Sequence, residues 1–157
     1  MKYYIKQHVF TFVDRFSIFD ESGNECYYVE GEFIPFGKNL HLYSTDGIEK
    51  AFIEKKLFSF WPTYRIYRNG SEIAEIVKEI AFFHNSYTIN GLDWTVDGDF
   101  MDHDYTVQDI HGNIATVSKQ WFTFGDAYEI DVASGIDPSL VISVVLVIDA
   151  CLDAEKN

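Results

Sequence analysis

Cysteine, proline and positive charge are all scarce in this chain of 157 residues. Its two cysteines, Cys26 and Cys151, have no partner spacing for a metal and no framework for multiple disulfides, so both read as reduced packing thiols. Three prolines and ten glycines are too few for a disordered or low-complexity polypeptide. Twelve Lys and Arg face 25 Asp and Glu, a formal charge of -13 that argues against nucleic acid as a partner. The opening MKYYIKQHVFTF is broken early by Lys6, Gln7 and His8 and holds no signal-peptide core, so the chain reads as cytoplasmic. Its apolar content suits one packed domain spanning residues 1–157.

What the chain has in quantity is aromatic side chains: 14 Phe, 10 Tyr and 3 Trp, residues that favour pleated, half-buried surfaces. Alternating runs recur before short polar tips containing glycine. Phe16–Phe19 precedes Asp20–Gly23, and Leu40–Tyr43 precedes Ser44–Gly47. Tyr64–Tyr67 precedes Arg68–Gly70, and Tyr105–Val107 precedes Asp109–Gly112. Each predicts a β-hairpin. Asn90-Gly91 and Asp97-Gly98 add two further candidate tips. Two stretches dissent: Ile73, Ile76, Val77 and Ile80 fall at helical spacing, and 48–57 is ambiguous.

Near the end, Asp137-Pro138-Ser139 supplies a capping side chain followed by a proline suited to a first helical turn. The run Leu140–Ile148 then predicts a helix apolar on every side. It is too short for the ~20 residues of a bilayer span. Asp149 and Asp153 follow at once. Such a helix requires walls all round, and the rest of the chain offers strands, so a closed sheet wrapped around it is the economical assembly.

Taken together, Gln7–Phe12, Phe16-x-Ile18-x-Asp20-x-x-Gly23, Tyr28-x-Val-Glu30-Gly31 and Pro62-x-Tyr64-x-Ile66-Tyr67 resemble the LURP-one-related family of the tubby C-terminal-like superfamily, in particular its small bacterial members. Trp94-x-Val96-x-Gly98-Asp99-Phe100, Tyr105-x-Val107, Ile114–Lys119, Asp126-x-Tyr128-x-Ile130-x-Val132 and the terminal apolar helix continue the resemblance in order. It implies a closed twelve-stranded antiparallel β-barrel around a central hydrophobic C-terminal helix. It also implies that Glu49–Phe60 and Glu72–Phe83 are strands, against the local helical spacing.

Motifs for catalysis are missing: no phosphate-cradling G-x-x-x-x-G-K, no G-x-S-x-G and no H-E-x-x-H occurs, and the five histidines are scattered. No enzyme activity, cofactor or metal is expected. Six aspartates between Asp93 and Asp109 raise the question of Ca²⁺, with Asp97, Asp99, Asp102 and Asp104 around one turn. The EF-hand order is absent, however, and aspartate is common at hairpin tips, so a solvated acidic loop is the reading. Positive charge concentrates in residues 50–78, where six cations meet three acids. The family resemblance implies phospholipid or phosphoinositide-like headgroup binding for such an island, with Lys50, Lys55, Lys56, Arg65 and Arg68 as the residues that would carry it. The sequence-level expectation is therefore a soluble, monomeric, non-enzymatic barrel acting as a binding or scaffold module. Its partner would be an unidentified protein or, alternatively, an anionic lipid headgroup.

Overall fold

The computed structural model describes residues 1–6, 15–81, 85–122 and 125–155. Twelve strands follow one another: β1 (Lys2–Lys6), β2 (Arg15–Asp20), β3 (Glu25–Ile34), β4 (Gly37–Ser44), β5 (Glu49–Lys55) and β6 (Thr63–Arg68) form the first half. The second half is β7 (Ser71–Ile80), β8 (Asn85–Asn90), β9 (Thr95–Asp99), β10 (Asp104–Asp109), β11 (Gly112–Phe122) and β12 (Gly125–Val132), before helix α1 (Pro138–Glu155). Every strand pairs antiparallel with its sequence neighbours, and β1 pairs with β12, so the sheet closes into a barrel. The architecture expected from the apolar tail and the family resemblance is the one found.

Alternation drives the assembly. Ile18, Leu40, Leu42, Ile53, Ile66, Val117 and Ile130 point inward and are sealed from solvent, and Val141 through Ile148 of α1 occupy the space they enclose, with Ser143 the one polar residue among them. Ser143 is satisfied within the helix, its hydroxyl donating to the Ser139 carbonyl at 2.7 Å. Asp137 caps α1 by accepting from the Ser139 amide at 2.9 Å.

The family resemblance is upheld over the local helical spacing in one segment, and two other expectations change. The segment with helical spacing is strand β7, whose inward positions are Ala74, Ile76 and Lys78. A small residue and a buried lysine at two of those three places erase the alternation that would have announced a strand. The strand expected over Glu49–Phe60 ends at Lys55, because the Lys56 amide donates to the Thr63 carbonyl at 2.9 Å and closes a loop over 56–62. Asp97-Gly98 is not a hairpin tip: Gly98 lies within β9 opposite Tyr105. A Cβ there would stand 2.5 Å from the Asp104 carbonyl oxygen and 2.6 Å from the Tyr105 Cα, so glycine is required by close backbone approach rather than by a turn. Gln7–Phe12, His8, Phe83 and His84 lie outside the described residues.

Because strands alternate in direction, the β3–β4, β5–β6, β7–β8 and β9–β10 connections gather at the mouth where α1 ends. The β2–β3, β4–β5, β6–β7 and β10–β11 tips gather at the mouth where it begins. Arg68 at the Asp137–Ser139 cap and Lys78 paired with Glu155 mark the two ends.

Candidate functional site

The five cations singled out in the sequence are divided among three places. Arg68 lies at the mouth where α1 begins. There its guanidinium donates to Asp137 at 2.8 Å, to the Ser139 hydroxyl at 2.6 Å and to the Lys50 carbonyl at 3.2 Å. Lys50 lines the same recess. Arg65 stands on the outer wall against Glu75 at 3.4 Å and Glu72 at 3.8 Å. Lys55 and Lys56 lie at the opposite mouth, five and six residues along the chain from Lys50, a separation of about 17 to 20 Å.

That opposite mouth has an unusual surface. Phe33 and Phe36 from the β3–β4 hairpin, Leu57, Phe58 and Phe60 from the β5–β6 loop, and Ile80 at the end of β7 are all exposed. Phe58, Phe60 and Phe36 are 94%, 89% and 86% accessible, close to what they would be in an extended chain. At the other mouth only Met1, Ile48 and Ile110 among the described residues are large, apolar and exposed. The cations Lys38, Lys55 and Lys56 share the aromatic end: Lys38 sits over the Phe33 ring at 4.4 Å, and the Lys55 ammonium donates to the Phe36 carbonyl.

The hairpin carrying Phe36 is under local strain. Ile34 pairs with Gly37, leaving Pro35-Phe36 as a two-residue tip with Phe36 at φ 66°, a position that favours glycine or asparagine. Gly37 lets Lys55 lie across the tip, since a Cβ there would meet the Lys55 Cδ at 2.8 Å. The Lys55 amide also donates to Asn39 Oδ1 at 2.9 Å, so one residue locks the β5 end to the β3–β4 hairpin.

The apolar residues of this rim were not singled out in the sequence, although Lys55 and Lys56 beside them were. The available signal was large apolar side chains beside turn formers, in Phe33-Ile-Pro-Phe-Gly-Lys38 and Leu57-Phe-Ser-Phe-Trp-Pro62, where a purely structural loop would be polar.

Between the rim and the end of α1 lies a cleft of about 610 Å³, walled by Phe33, Phe36, Leu40, Tyr64, Ala150 and Ala154, with Lys38, Lys55 and Asp153 at its edge. Across the mouth a second polar group is buried: Asp149 of α1 accepts the Tyr128 hydroxyl and lies 3.1 Å from His103 Nε2, whose ring stacks on Tyr128 at 4.4 Å. Burial, then the Asp149 charge, pushes the Tyr128 hydroxyl well above its ordinary pKa.

The acidic loop makes turns. Asp99 accepts the Asp102 amide at 3.2 Å, and Asp109 accepts the His111 and Gly112 amides at 2.7 and 3.1 Å. No group of three His, Cys, Asp or Glu positioned to hold a metal occurs among the described residues. Burial raises the Cys26 thiol to about 11 and the Cys151 thiol to about 12, so neither is a ready thiolate. His41 lies between Glu32 and Glu49 on the wall, and His103 is committed to Asp149. No helix among the described residues is long and apolar enough to cross a membrane.

Comparison with known proteins agrees with this architecture. The sequence profile described as LURP-one-related matches residues 1–149. The chain is 32% identical over 154 residues to "Uncharacterized protein YxjI" of Bacillus subtilis (strain 168), an alignment covering 98% of this chain and 95% of that protein. The X-ray structure of an Arabidopsis thaliana protein superposes with a TM-score of 0.68 at 13% identity, covering 96% of this chain and 91% of that one, and so shares its fold.

Proposed function

Starting from a chain that belongs to the LURP-one-related family, we propose that it is a non-enzymatic binding module that docks reversibly on anionic membrane surfaces through the rim at the end of α1. The observation that carries this reading is the gathering of exposed Phe33, Phe36, Leu57, Phe58 and Phe60 with Lys38, Lys55 and Lys56 at one mouth of the barrel. Apolar side chains flanked by lysines suit the boundary between lipid tails and anionic headgroups. Each phenylalanine buried there contributes ~1.5 to 3 kcal/mol, and each lysine near the surface ~1 kcal/mol. Two or three of each, set against the cost of association, support weak, reversible docking. Lys55 and Lys56 belong to this surface. Lys50, Arg65 and Arg68 do not, because the first and last serve the opposite mouth and Arg65 is engaged by Glu72 and Glu75.

Asp99, Asp102 and Asp104 at the β9–β10 turn lie across the same mouth, and with the net charge of -13 they favour tilting the side that carries the phenylalanines and lysines toward an anionic surface. Co-sedimentation with phosphatidylglycerol vesicles at low salt is the test. Wild type is expected to pellet, to release as salt rises, and to bind phosphatidylcholine vesicles more weakly. The double variant Phe58→Ser with Phe60→Ser should stay in the supernatant while retaining the wild-type melting temperature, both side chains being solvent-exposed already. Wild-type protein that remains soluble beside anionic vesicles at low salt overturns the proposal and leaves the rim as a surface for a protein partner.

A further inference from the structure

Resting on the membrane-facing reading of the rim, we infer that the cleft at the end of α1 takes up a single anionic amphiphile, one acyl chain with a phosphate or carboxylate head. Packing inside the barrel is continuous from Val141 to Ile148, all fully buried. Beyond it Cys151 and Leu152 keep one side of the helix packed, while on the side that carries Ala150 and Ala154, two small residues four apart, the cleft of about 610 Å³ opens. Its walls are the rings of Phe33, Phe36 and Tyr64 and the side chain of Leu40, a surface for hydrocarbon. The volume lies within the range of small-molecule sites, ~300 to 1,000 Å³.

Charge at the edge selects the head. Lys38 and Lys55 stand against one acid, Asp153, so the entrance favours an anion. Lys55 directs one ammonium proton to the Phe36 carbonyl, and an ammonium has three. Its aliphatic stem is held across the hairpin tip by the absence of a side chain at Gly37. The backbone strain at Phe36 fits the same purpose, since it places an aromatic ring both on the exposed rim and on the cleft wall, where asparagine or glycine would have satisfied the turn.

Dodecyl phosphate, used as a monomer below its micelle concentration, is the probe, with inorganic phosphate as the head alone and dodecanol as the chain alone. Isothermal titration of the wild-type chain is expected to show saturable one-to-one binding of dodecyl phosphate, weaker binding of dodecanol and none of phosphate. Ala154→Trp fills the cleft from an exposed helix position, so the fold is kept, and it should weaken dodecyl phosphate by at least about tenfold while vesicle sedimentation is unchanged. Lys55→Met should weaken dodecyl phosphate but not dodecanol. The Phe58→Ser, Phe60→Ser variant should do the reverse of Ala154→Trp, losing vesicles and keeping the monomeric amphiphile, so a failed cleft and a failed rim give different patterns. No saturable binding by wild type, or binding that both Ala154→Trp and Lys55→Met leave intact, overturns the inference.

Discussion

Phe36 and Asp149 both sit where the local rules would have put something else. At Phe36 the backbone adopts φ 66°, which costs a non-glycine residue of this kind about 1 kcal/mol or more. Phe36→Asn is therefore expected to raise stability by up to about 1 kcal/mol, measured by urea denaturation, while reducing vesicle binding. A gain in stability with loss of docking is the signature of a residue kept for its surface. Asp149 interrupts an apolar helix, and its side-chain partners among the described residues are Tyr128 and His103. Tyr128→Phe removes one partner from a buried carboxylate and is expected to cost ~1 to 3 kcal/mol. The double variant with Asp149→Asn should lose less than the two single changes summed, as a double-mutant cycle reads directly. In the sequence Asp149 was legible only as the end of an apolar run. Its partners lie 21 and 46 positions away, and nothing local announces them.

At the scale of elements, the N-terminus of α1 was readable from its own residues, whereas β7 was readable through the family resemblance and not from its own spacing. Asp137-Pro138-Ser139 specifies a cap by its own chemistry, and the cap is there. Strand β7 was obscured because Lys78, an inward residue, depends on Glu155 from the far end of the helix. The Asp137 carboxyl is pushed up by burial but more than offset by hydrogen bonds from Ser139 and by Arg68, which together hold it below its ordinary pKa of 3.8. A depressed carboxyl stabilises the fold above that value and loses its contribution as pH falls through the lower, folded-state value. Melting temperature should accordingly fall in acid more steeply for wild type than for Asp137→Asn, which cannot titrate. Asp137→Ala at neutral pH should cost about 1 to 2 kcal/mol. The seam between β8 and β9 holds a single residue pair, Thr88 with Thr95, whereas β10 matches β9 along five. Amides of β8 and β9 that face this seam are expected to exchange fastest among the described strands in hydrogen–deuterium exchange.

For the whole molecule, the apolar tail and the recurring hairpins made the barrel legible, since both are one-dimensional patterns. The rim and its cleft were not, because they come into being only when hairpins distant in sequence are brought to the same mouth. The charge island at 50–78 illustrates the difference: contiguous in sequence, it is split by strand β5 between two ends of the barrel and its outer wall. The sealed interior also has a pH signature. Burial raises the hydroxyls of Tyr64, Tyr87, Tyr105 and Tyr128 far above 10. An unfolded chain would ionise them near 10 while the barrel keeps them protonated, so stability is full below that pH and is lost as pH rises above it. Each such tyrosine contributes a slope of up to about 1.4 kcal/mol per pH unit. Spectrophotometric titration should show them ionising together, at the pH where the fold gives way.

The closing pair of the barrel joins β1 to β12, and the segment that fills the interior follows both. Synthesis therefore delivers the staves before the plug. A nascent chain that has emerged only as far as Val132 holds inward faces with nothing to enclose, and its first strand must wait more than a hundred residues for its mate. Completion of this fold has to await the emergence of α1 behind all twelve strands, and until then its greasy ribbons depend on their surroundings to keep them apart.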